Sequence, residues 1–114
     1  MNVDGVYRDY MSKSLDGENF ICLVGETIEK QLQEWDPNFS ITIMKFTDYE
    51  LYVTNEGSTE YDVQISEQEL SVLQKKSPFS LDYIIWKDLE RQGLKLYLGN
   101  GDYFFRVLGW IIQD

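Results

Sequence analysis

Between Phe39 and Ile65 the chain alternates apolar and polar residues in three consecutive stretches. Phe39-Ser40-Ile41-Thr42-Ile43 sets Phe39, Ile41 and Ile43 on one face until Met44 breaks the period, and Tyr49-Glu50-Leu51-Tyr52-Val53 and Tyr61-Asp62-Val63-Gln64-Ile65 alternate cleanly. A period of two sends successive side chains to opposite sides of a pleated strand, so each stretch reads as a strand with one core-facing side. Asn55-Glu56-Gly57 supplies the turn between the second and third, with a glycine for the left-handed position. The pattern predicts a three-stranded antiparallel meander. Keeping both inner faces together with that odd loop places Glu50 across from Asp62 and Tyr52 across from Glu60.

Helical spacing surrounds the meander. Val3, Val6, Tyr7, Tyr10 and Met11 predict a short amphipathic helix at the domain edge. From Asp16, a plausible N-cap, Phe20, Val24, Ile28, Leu32 and Trp35 recur every three to four residues until Asp36-Pro37-Asn38 stops the helix. Gly25 inside it costs roughly 1 kcal/mol, so a short strand over 20–24 followed by a helix from Thr27 stays open. Ser66 and Glu69 form a capping box that opens a helix carrying Leu70 and Leu73. Phe79 to Arg91 reads as another helix ending at Gly93. Asn100-Gly101 between two β-rich runs predicts a C-terminal hairpin that pairs Leu98 with Tyr103, Leu96 with Phe105 and Leu94 with Val107. The expected class is α+β, an antiparallel β-sheet (the three-stranded meander plus the C-terminal hairpin) with helices packed on one side.

With 114 residues, no repeat and no linker, the chain reads as a single α+β domain, 1–114. Leu, Ile, Val and Phe make up 34 of those residues, enough apolar surface for a core despite a formal charge of −10. The only cysteine, Cys22, lies in the apolar run Phe20-Ile21-Cys22-Leu23-Val24 and is expected to be buried and inert. Acids near the N-terminus and the lack of an apolar signal region predict a cytoplasmic protein. No apolar run approaches the roughly 20 residues of a membrane span. The chain has no histidine, which removes Ser-His and Cys-His nucleophilic chemistry, and one cysteine without histidine leaves little for a transition metal. Paired carboxylates are frequent by chance among 20 acids, but short connections provide little material for a cleft. The expectation is a binder rather than an enzyme, with no cofactor and no metal.

The acids are not scattered. Between Phe46 and Gln74 lie Asp48, Glu50, Glu56, Glu60, Asp62, Glu67 and Glu69 with no Lys or Arg among them. On the predicted hairpin, Glu50, Tyr52, Thr54, Glu60, Asp62 and Gln64 point away from the core. Asp48, Glu50, Tyr52, Glu56, Glu60 and Asp62 are therefore the candidate partner-binding residues, with Tyr52 as aromatic anchor. Charge that guards a sheet edge against aggregation accounts for the same pattern.

So acidic a chain disfavours nucleic acid and anionic membrane as direct partners and favours a basic protein. In size, charge and lack of catalytic residues it resembles the small acidic immunity proteins that bacteria pair with toxins. That resemblance implies an immunity protein or antitoxin that neutralises a basic, nuclease-type toxin. Two alternatives are a phage-encoded charge mimic that inhibits a nucleic-acid enzyme, and a self-associating structural module, a homo-oligomer without catalytic activity.

Overall fold

A computed structural model describes residues 1–99 and 101–112. The elements follow in the order α1 (Gly5–Ser14), α2 (Gly17–Trp35), β1 (Phe39–Lys45), β2 (Tyr49–Asn55), β3 (Ser58–Ile65), α3 (Glu67–Lys76), α4 (Ser80–Arg91) and α5 (Tyr103–Ile112). The class is α+β: the three strands form an antiparallel sheet in the order β1-β2-β3, with helices packed against one face. Inward residues Leu51, Val53, Val63 and Ile65 share one buried cluster with Phe20, Val24, Ile28 and Leu32 of α2 and with Leu81, Ile85, Trp86 and Leu89 of α4. Among the described residues no helix is long and apolar enough to cross a membrane.

Local chemistry explains where the elements begin and end. Asp16 caps α2 by accepting from the Asn19 amide at 2.8 Å, and Ser66 caps α3 by accepting from the Glu69 amide at 3.0 Å. Helix α2 is continuous through residues 20–24, which settles the alternative of a short strand there. Its Gly25 has a packing role, since an added Cβ would lie 2.6 Å from Cδ1 of Ile43 on β1. Helix α4 ends where Gly93 takes φ +115° and the Leu94 amide reaches back to the Leu89 carbonyl at 3.0 Å.

Four expectations are corrected. The C-terminal hairpin does not form. Residues 94–99 carry no strand, Tyr103–Ile112 is helix α5, and Asn100 of the expected turn lies outside the described residues. Tyr103, Phe104 and Val107 are buried while Phe105 is 69% exposed, a helical period that a hairpin with Tyr103, Phe105 and Val107 on one face does not allow. Asp102 starts the helix: its carbonyl accepts the Arg106 amide at 2.9 Å, and its carboxylate accepts from the Val3 amide at 2.9 Å. Three of the five apolar residues expected on one face of the first helix do not face the core either, while Val3 packs against it and Met11 is half-buried. Val6 is 82% exposed and Tyr7 and Tyr10 stand out with it, because the helix is turned to bury Arg8 and Ser12.

Cys22 is exposed on α2 rather than buried. Its thiol is nevertheless pushed above the ordinary value, by desolvation first and then by the charges of Glu18, Glu26 and Asp16. Finally, the β2-β3 register differs by two residues from the expected one. Glu56 (φ 52°) and Gly57 (φ 83°) are both left-handed and make a two-residue turn that pairs Asn55 with Ser58. A two-residue turn alone would set the apolar residues of the two strands on opposite faces. A bulge at Glu60 restores the match, so that Val53 pairs with Tyr61 and Leu51 with Val63.

Buried polar residues join the helices. Arg8 on α1 forms an ion pair with Asp82 on α4 and donates to the Pro78 carbonyl at 3.2 Å and to Thr27 Oγ1 on α2 at 3.2 Å, with its guanidinium 4.6 Å from the Phe79 ring centroid. The Tyr103 hydroxyl donates to Asp82 Oδ2 at 2.6 Å and accepts from Trp86 Nε1 at 2.9 Å. Burial pushes the Asp82 carboxyl above its ordinary value, against the opposing pull of Arg8 and of the Tyr103 hydroxyl.

Candidate functional site

The side of the sheet away from the helices is open. Because side chains alternate along each strand, the pairing lays them out in rows: Ser40, Thr54 and Thr59; Thr42, Tyr52 and Asp62; Met44, Glu50 and Gln64. The middle row puts Tyr52 on the central strand with Asp62 beside it. The tyrosine hydroxyl donates to Glu50 Oε2 at 2.6 Å. That bond, then desolvation and the charges of Glu50 and Asp62, raises the phenol above its ordinary value, so Tyr52 stays neutral at physiological pH. Asp48, in the β1-β2 connection, closes one end by accepting from Gln64 Nε2 at 2.8 Å.

These rows contain no Lys or Arg. The nearest base in sequence, Lys45 at the end of β1, is drawn off to Glu67 at the start of α3 and sits 5.2 Å from the Tyr49 ring centroid. Asp48, Glu50, Tyr52 and Asp62 are thus brought together, whereas two of the sequence candidates stand apart. Glu56 is at the hairpin tip, accepting from Asn38 Nδ2 at 3.3 Å, and Glu60 is the unpaired bulge residue. Glu50 does not oppose Asp62: it opposes Gln64, and Asp62 opposes Tyr52. The two acids are therefore not directly opposed across the β2-β3 pair.

Comparison of the chain with protein-family models, with curated proteins and with solved structures finds no match. Its chemistry rests on its own residues.

Both edges of the sheet are occupied by side chains. Gln92, after α4, accepts from the Asp62 amide at 3.4 Å and donates to the Asp62 carbonyl at 2.7 Å. On β1, Glu29 accepts from the Ile41 amide at 2.7 Å and Gln33 donates to the Phe39 carbonyl at 3.0 Å, both from α2. An added strand would have to displace these contacts, so the face of the sheet is more available than its edges. A second acidic feature, which the sequence did not reveal, is a groove of about 390 Å³ bordered by Asp16, Glu18 and Glu67. Two of its acids already have partners, Asp16 as the α2 cap and Glu67 with Lys45. Among the described residues no three metal-ligating side chains gather.

Proposed function

We propose that this chain is a small acidic cytoplasmic protein that acts by binding, laying the open face of its sheet against a basic protein and inhibiting it. The observation that carries this reading is the set of Glu50, Tyr52 and Asp62 on adjacent strands, with Asp48 at one end and no cation in the rows between. Acid on one rigid face attracts a cationic surface during encounter and speeds association, while an aromatic ring at its centre supplies the desolvated contact on which affinity depends. A nuclease surface built to hold phosphate is the kind of cationic surface that fits. The proposed role is accordingly that of a bacterial immunity protein or antitoxin against a nuclease-type toxin, and the reading assigns the chain no reaction of its own.

Glu50→Lys, Glu60→Lys and Asp62→Lys in one variant test it. A basic nuclease-type toxin inhibited by the wild-type chain is the partner to assay, and inhibition of its activity is the readout. The variant is expected to lose inhibition and to associate more slowly, with the wild-type rate falling as salt is added. Unchanged, salt-insensitive inhibition by the variant contradicts the proposed face.

Self-association is a second reading, favoured by the exposed Val6, Tyr7 and Tyr10 on α1 and by Phe105 on α5. It predicts a sedimentation coefficient that rises with concentration.

A further inference from the structure

Among the described residues the buried polar side chains are Arg8, Ser12, Gln31, Ser80 and Asp82. All but one are bonded within the fold. Arg8 pairs with Asp82, Ser12 donates to the Asp9 carbonyl, and Ser80 meets the Ser77 hydroxyl. Gln31, on α2 and only 4% exposed, makes no side-chain hydrogen bond among the described residues. A carboxamide held out of water without a partner is destabilising, so a fold that keeps one calls for a reason.

Gln31 lines a pocket of about 370 Å³ between the C-terminal end of α2 and the chain that follows α4. Glu34 and Trp35 stand three and four residues further along the same helical face, and Tyr97 borders the pocket from the segment after α4. The Trp35 and Tyr97 rings meet edge-on with centroids 5.7 Å apart, so two flat surfaces flank the space that Gln31 lines. Among the described residues no Lys or Arg lines it, and the Met1 ammonium at its wall pairs with Glu34 at 3.4 Å.

We infer that this pocket binds an uncharged nucleoside, its base held by the Gln31 carboxamide and lying against Trp35 and Tyr97. A carboxamide offers a donor and an acceptor side by side, which matches the adjacent donor and acceptor on the edge of a nucleobase, and a planar ring suits aromatic walls. The volume lies within the range of small-molecule sites. Glu34, half exposed at the rim, can accept from sugar hydroxyls, whereas its charge in a chain of −10 opposes a phosphate and selects the nucleoside over its nucleotides. The acidic sheet face plays no part in this site.

Adenosine, guanosine, cytidine and uridine, each titrated into the ¹⁵N-labelled chain, test the inference. At least one is expected to shift the Gln31 side-chain amide and the Trp35 indole N–H saturably, and its 5′-monophosphate to bind about tenfold more weakly. Gln31→Met keeps the length of the side chain and removes its donor and acceptor. It is expected to bind that nucleoside about tenfold more weakly with a Tm no lower than wild type, because the amide it removes serves no contact within the fold. Tyr97→Ala, at a half-exposed ring, is expected to weaken binding several-fold in a folded chain. No saturable shift with any of the four nucleosides, or wild-type affinity in either folded variant, overturns the site. A Tm that falls in Gln31→Met shows an amide used by the fold and overturns it as well, and a monophosphate that binds as tightly as its nucleoside overturns the uncharged-ligand assignment.

Discussion

Arg8→Met removes the cation of the buried ion pair and keeps most of the side-chain volume. Arg8 is 4% exposed and Asp82 is fully buried, so the variant leaves a carboxylate in the core with the Tyr103 hydroxyl as its remaining side-chain donor. Leaving one half of a buried pair costs about 3–5 kcal/mol. At about 2.1 cal/mol/K of unfolding entropy per residue, a chain of 114 residues shifts its Tm by about 4 °C per kcal/mol. The expected fall in Tm at pH 7 is therefore about 12–20 °C, read by calorimetry. Without Arg8, burial raises the Asp82 carboxyl unopposed by a cation, and the folded state then holds a proton that the unfolded chain releases. A carboxyl raised on folding favours the folded state increasingly as pH falls toward the ordinary aspartate value, so the deficit of the variant shrinks on acidification. Adding Asp82→Asn removes the stranded charge and is expected to recover at least half of the loss. A drop in Tm of less than 4 °C, or a double variant no more stable than Arg8→Met, refutes the reasoning.

Three further outcomes follow from the same structure. At Gly101, with φ +97°, an added Cβ would lie 2.5 Å from the Met1 carbonyl oxygen, so Gly101→Ala is expected to displace residues 1–3 and cost about 1–3 kcal/mol in chemical denaturation. Asp102 is held below its ordinary value chiefly by the Val3 amide, and a lowered carboxyl contributes stability that is present above that value and lost as pH falls through the lowered one. The Val3 amide shift should therefore titrate with a midpoint below 3.8, and a midpoint above 3.8 contradicts the contact. Cys22 should react with iodoacetamide at pH 7 more slowly than a free thiol despite its exposure, and Glu18→Gln/Glu26→Gln should speed it; an equal rate in both chains argues against the charge effect.

The strands were legible because a period of two is written residue by residue, and the Asp16 and Ser66 caps because each acts within its own turn. The C-terminal segment was not, because Asn100-Gly101 and the apolar run after it satisfy hairpin chemistry as well as helical burial of Tyr103, Phe104 and Val107. Choosing between them depends on Asp102 meeting Val3, a contact 99 residues apart in the chain. The orientation of α1 is equally non-local: its apolar periodicity is outweighed by Arg8 reaching Asp82. The open face of the sheet survived an incorrect register because that register was wrong by two residues. An even shift moves partners without exchanging faces. Tyr52 therefore stayed outward while its neighbour changed from Glu60 to Asp62.

The most direct test of the proposed face is an amide-shift footprint of the labelled chain with a basic toxin that it inhibits bound. The predicted footprint covers Glu50, Tyr52, Asp62 and Gln64 and leaves α1 unchanged. A footprint on Val6, Tyr7 and Tyr10, with the sheet unmoved, would contradict it.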